Sequence, residues 1–200
     1  MITNRGVLAL ILLLAAFGAG NWVLHRPIPH AAGVLVESQP LQSEPSDTAV
    51  IEYGDYRLLP LADFEIEARV LSREDYSIDA GSDLSPTDLA LGWGRMSDSS
   101  VIEQLDISQS VRFFTYRWRE QPPIPLKEIE RSSANMHLIP ADANVERQLA
   151  KVRKGSLIRM QGQLVEAHRS DGFQWRSSLT REDTGGGACE LVLVESIERI

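Results

Sequence analysis

Residues 64–70 (Phe-Glu-Ile-Glu-Ala-Arg-Val) switch between apolar and polar at every step, the period of a strand with one face in the core and one in water. Residues 157–165 alternate in the same way, which puts Ile158, Met160, Gly162 and Leu164 on one face. Residues 111–118 are rich in aromatic and β-favouring side chains, so another strand is expected there. A short apolar run at 136–139 stops at Pro140. Residues 173–179 are placed to fold back on 157–165 across Ser170-Asp171-Gly172, a turn-forming triplet. Residues 188–197 are the most apolar of these segments and predict a central strand. Helical starts punctuate the strands. Ser85-Pro86-Thr87-Asp88 ahead of Leu89-Ala90-Leu91 predicts an N-cap with proline in the first turn. Asp98-Ser99-Ser100 ahead of Val101-Ile102 predicts a second short helix. Asp142 or Asn144 would cap a third, reaching about Arg153 and ended by Gly155. The expected fold class is mainly β with short helices (α+β), a small, closed or nearly closed barrel.

The N-terminus breaks this pattern. Residues 6–24 run for 19 positions without a charge and show no polar face. About 20 apolar residues suffice to cross a bilayer core as a helix, and Asn21 and Trp22 suit the headgroup interface. The expected organisation is a signal-anchor or transmembrane helix over 1–24, a Pro-rich linker over 25–47 and an extracytoplasmic domain over 48–200. Pro27, Pro29, Pro40 and Pro45 supply the linker's extended character. The expected location is a single pass through the cell inner membrane with the C-terminal domain in the periplasm. A cleaved signal peptide, with Ala16, Gly18, Ala19 and Gly20 near the cut, exports the domain equally.

Composition narrows the chemistry. The formal net charge of −8 argues against a protein that neutralises nucleic acid. The acidic surplus lies in residues 37–98, whereas residues 99–200 carry acids and bases in equal number. Asp75, Asp79, Asp83 and Asp88, with Gly81 among them, lack the alternate-residue spacing of a calcium loop and read as a polar loop. A single cysteine excludes an internal disulfide framework and a multi-thiolate zinc site. No metal or cofactor is expected.

Residues 154–165 (Lys-Gly-Ser-Leu-Ile-Arg-Met-Gln-Gly-Gln-Leu-Val) resemble strands of OB-fold barrels. In those barrels a turn glycine opens a strand and an internal glycine lets it coil. With its Gly92-Trp93-Gly94, Asn135-Met136-His137-Leu138-Ile139-Pro140 and Asp183-Thr184-Gly185 stretches, the domain also resembles uncharacterised single-span envelope proteins of proteobacteria. That resemblance implies an envelope location and no known chemistry.

Five features bear on function. Asp183-Thr184-Gly185 spells the aspartic-protease triplet, but Arg181 and Glu182 precede it where an apolar strand is needed, and the chain has no second copy. The same loop, residues 181–187, offers Arg181 and the run Gly185, Gly186, Gly187 as an anion nest, or simply as a hairpin connection. Cys189 lies in an apolar run, the setting of an inert core thiol, although His137 or His168 could approach it in space. Trp93, Trp118 and Trp175 have glycine or arginine neighbours and could line a groove or fill the core. Arg147, Lys151 and Lys154 share one helical face, able to meet anionic lipid or to stay solvated. The sequence thus points to a non-enzymatic, membrane-anchored binding module of the cell envelope whose partner is the membrane plus an envelope protein or glycan, not nucleic acid. Arg181, Asp183, Gly185, Gly186, Trp118 and Trp175 are its candidate ligand residues. A membrane-tethered hydrolase using Asp183, His137 and Cys189, and a small-anion sensor using the 181–187 loop, remain open.

Overall fold

The computed structural model describes residues 26–180, 185 and 187–200. In chain order the strands are β1 (Leu41–Ser43), β2 (Ile51–Tyr53), β3 (Tyr56–Asp75), β4 (Thr87–Gly92), β5 (Asp106–Ser110), β6 (Phe113–Arg117), β7 (Ser133–Pro140), β8 (Leu157–Arg169), β9 (Gln174–Arg176) and β10 (Glu190–Arg199). The helices are α1 (Ser99–Ile102), α2 (Leu126–Arg131) and α3 (Ala143–Leu149), with a 3-10 turn at Gly94–Ser97. The protein is therefore mainly β with few, short helices, as its alternating segments predict. The N-terminal span expected over 1–24 lies outside the described residues. Among the described residues no helix is long and apolar enough to cross a membrane.

Five strands close on themselves in the order β3-β4-β7-β10-β8 and back to β3. Neighbours run antiparallel except β7 and β10, which are parallel. Period-2 alternation fills the interior. Ile66 and Ala68 of β3, Leu89 and Leu91 of β4, Met136 and Leu138 of β7, Met160 and Leu164 of β8, and Val192 and Val194 of β10 meet in one buried cluster, which Val145 and Leu149 of α3 join. Closure needs a glycine at one crossing. A Cβ on Gly162 would overlap the Leu193 carbonyl, beside a register shift in β10 between Val194 and Ser196. Backbone approaches of this kind are where strand glycines are required.

Three differences from the sequence expectations have physical reasons. Residues 87–91 belong not to a helix but to β4, paired on both sides by β3 and β7. Ladder pairing outweighs the local Ser-Pro-Thr-Asp capping signal, and Pro86 precedes the strand, where its missing N–H breaks no bond. Helix α3 begins where expected, with Asp142 accepting from the N–H groups of Asn144 and Val145, but it ends at Leu149 rather than near Arg153. The Pro-rich segment is bonded into the domain. Ile28 N–H donates to the Lys154 carbonyl and Gly94 N–H to that of Val36, the Leu35 and Val36 N–H groups donate to Ser97 Oγ, and Val36 joins the interior cluster.

Candidate binding groove

Asp88 of β4 and His137 of β7 stand directly opposite in the ladder. Their chain neighbours Leu89, Met136 and Leu138 point inward, so both side chains lie on the outer face of the barrel. This face is nevertheless dry: Asp88 is 0% exposed. A carboxylate removed from water needs charged or hydrogen-bonding partners, and Arg112 is one of them.

Arg112 sits at the tip of the β5–β6 hairpin, whose two-residue connection is Val111-Arg112, with φ of 50° and 66°. Such a turn normally carries Asn-Gly. A β-branched residue with positive φ is an outlier, costing roughly 1–2 kcal/mol. The guanidinium offsets this. Nε and Nη2 grip both oxygens of Asp79 at 3.0 and 2.8 Å. Nη1 donates to Asp88 Oδ1 at 2.8 Å and to the Ser85 carbonyl at 2.9 Å. The Arg112 N–H donates to the Tyr76 hydroxyl, and its carbonyl accepts from Asn135 Nδ2. The cation also lies 3.8 Å from the centre of the Tyr76 ring and 5.4 Å from that of Trp175, within cation–π range. The hydrogen bonds from Arg112 lead the causes that hold the Asp79 carboxyl below the usual carboxylate range, against partial burial. For Arg112 itself burial opposes the charge, but Asp79 and Asp88 together outweigh it and raise its affinity for the proton above the ordinary value.

The other oxygen of Asp88 lies 2.9 Å from His137 Nδ1, off the line of a well-formed hydrogen bond. The His137 ring packs 4.6 Å from that of Trp175, which β9 delivers by pairing Trp175 with Ala167 of β8. Gly81 lets the β3–β4 connection lie on the same indole, because a Cβ there would overlap the Trp175 ring.

The hairpin leaves a gap beside this clamp. A groove of about 370 Å3 is bordered by Phe113, Phe114 and Tyr116 of β6, Ala134 and Asn135 of β7, and Cys189 before β10. It falls in the size range of small-ligand sites. Its floor is the stretch of β7 before Met136, where pairing with β10 begins. Past Phe113 and Cys189 a second hollow reaches Arg112, His137 and Trp175.

Of the residues singled out from sequence, Trp175 belongs to this cluster, and the exposed Gly185 borders the groove with φ of +88°. Arg181, Asp183 and Gly186 lie outside the described residues. Trp118 stays on the hairpin, stacked 6.4 Å from Tyr116, and Trp93 is buried in the barrel interior. His137 and Cys189 border one hollow, but the Cys189 sulfur lies 3.8 Å from Asn135 Nδ2 and 3.9 Å from the Arg112 carbonyl. The four aspartates of the acidic stretch part company: Asp75 bonds Arg73 and Thr87, Asp79 and Asp88 take Arg112, and Asp83 accepts from the Tyr56 hydroxyl. Among the described residues no group of three or more His, Cys, Asp or Glu side chains is gathered to hold a metal. Sequence reasoning missed Arg112 and Tyr76. Val-Arg is no turn signal, and Asp79 and Asp88 precede their arginine by 33 and 24 residues.

No family model, curated protein or solved structure matches the chain.

Proposed function

We propose that this protein is a membrane-anchored binding module of the cell envelope, non-enzymatic, in which residues 6–24 form the span and the barrel works on the extracytoplasmic side. The barrel is read as an OB-type barrel: numbered within the circuit, its strands run 1-2-3-5-4-1 with the 3–5 pair parallel. OB barrels take extended oligomers on the face of strands 2 and 3, between the connections 1–2 and 4–5. In this chain that face is the outer side of β4 and β7, and those connections contribute Asp79 and Trp175. The observation that carries the reading is the apolar, aromatic-edged groove left open on this same face. Phe113 is 48% exposed there, a large ring held at a groove mouth where a partner would cover it. The ligand class is an extended segment of an envelope protein or glycan.

Two probes test this: an unbranched N-acetylglucosamine oligosaccharide and a set of uncharged extended decapeptides, each titrated into isotope-labelled full chain in detergent. One of them is expected to shift the amide resonances of Phe113, Tyr116, Ala134 and Asn135 together. Shifts scattered over the surface, or none with either probe, contradict the groove. A C-terminal reporter active only in the cytoplasm contradicts the location.

A further inference from the structure

The N-terminal segment enters the domain almost as soon as the apolar run ends. Leu24 is the last apolar residue of that run, and by Ile28 the chain is fixed, its N–H bonded to the Lys154 carbonyl. His30 Nε2 meets the Gly155 carbonyl at 2.6 Å, and the His30 carbonyl accepts from Ser99 Oγ. Gly155 is shaped for this contact, since a Cβ there would overlap the Ile28 carbonyl. Four residue steps separate Leu24 from Ile28, a reach of at most about 14 Å, and Pro27 stiffens it. The loop that receives Ile28 exposes Lys151 and Lys154, with Arg26 exposed on the incoming chain. Asp98, which the segment passes at Gly33, is engaged by the N–H groups of Gly33 and Ser100.

We infer that this end of the barrel sits flush on the bilayer, with Arg26, Lys151 and Lys154 against anionic lipid headgroups. The inference rests on the reading of residues 6–24 as a span. The short reach sets the distance, the docked Ile28 sets which loop faces the membrane, and the three cations set the headgroup chemistry, since basic residues next to a span are drawn to anionic lipid. The partner is the bilayer that holds the chain's own N-terminus. A barrel held this way keeps one orientation toward the membrane instead of swinging on a tether.

The test uses the full chain in nanodiscs of phosphatidylcholine, with or without phosphatidylglycerol, and a quencher attached to lipid headgroups. A fluorophore is placed at Ala150→Cys, an exposed position beside Lys151, or at Asp55→Cys in the exposed β2–β3 turn, each in a Cys189→Ser background. The loop meets β3 at Val70, far along that strand from position 55. The expected result is strong quenching at 150, weak quenching at 55, and a roughly tenfold loss of the phosphatidylglycerol-dependent part in K151E/K154E. Equal quenching at the two positions in chain that has entered the nanodiscs overturns the inference and leaves the anchor standing. So does quenching at 150 that ignores both phosphatidylglycerol and the charge reversal. A chain that never enters nanodiscs overturns the anchor, and the inference with it.

Discussion

The two faces of strands β4 and β7 are equally dry and are built on opposite principles. Inward, Leu89, Leu91, Met136 and Leu138 pack against the other strands of the barrel, and any apolar side chain of similar volume would serve at modest cost. Outward, Asp88, Asn135 and His137 are also buried, yet each needs a particular partner in a particular place, and much of that network passes through Arg112. The inner face holds the barrel together whatever the surface does. The β5–β6 hairpin covers the outer face through Ile107, Phe114 and Tyr116, packed on a cluster that includes Leu71 and Ala90, and at its tip one arginine holds the buried polar groups together. A ligand groove belongs on the second kind of surface, where local opening costs less than unfolding.

The sharpest way to break the inner face is Gly162→Ala. The added methyl has no room against the Leu193 carbonyl, so β8 and β10 must separate. A loss of more than about 4 kcal/mol, or failure to fold, is expected in denaturant melts. Arg112→Met attacks the outer face. It leaves Asp88 buried without its cation, at a cost of about 3 kcal/mol, and should lower the Tm by roughly 10 °C in calorimetry. Val111→Asn goes the other way: asparagine tolerates the positive φ that valine resists, so a gain of about 1 kcal/mol is expected with the hairpin unchanged. The smallest effect is with acid. The Asp79 carboxyl titrates lower folded than its ordinary value of 3.8. Its contribution is therefore complete above that value and is lost as pH falls through the lowered folded one. Hairpin protection should hold steady from pH 7 to about 5 and decline below about 4, a profile that Asp79→Asn should flatten.

The same division explains what could be read without a structure. Alternation in 64–70 and 157–165 marks the interior residues of β3 and β8, because burial on one face writes a period of two into the sequence. Gly162 was visible as an internal strand glycine for the same reason. The outer face leaves no such trace. Asp88 sits in a Ser-Pro-Thr-Asp string that reads locally as a helix cap, and only pairing with β3 and β7 makes it a strand residue. Arg112 looks like one more residue of an aromatic strand, while its role comes from a positive φ and from aspartates distant in the chain. The Pro-rich segment reads as a tether because proline resists helix and sheet alike, and nothing local announces that Ile28 and Val36 have acceptors and a core waiting for them.

The central claim, that Arg112 holds a cover over an otherwise self-sufficient barrel, is tested most directly by native-state hydrogen exchange on the wild-type chain and Arg112→Met. The account predicts that β5–β6 amides such as Phe114 and Tyr116 exchange through an opening well below global unfolding and lose nearly all protection in Arg112→Met, while those of Met160, Leu164 and Val192 fall only with the global stability and stay protected by a folded barrel. Hairpin amides that exchange only together with the barrel's, or unchanged protection in the hairpin, would contradict it.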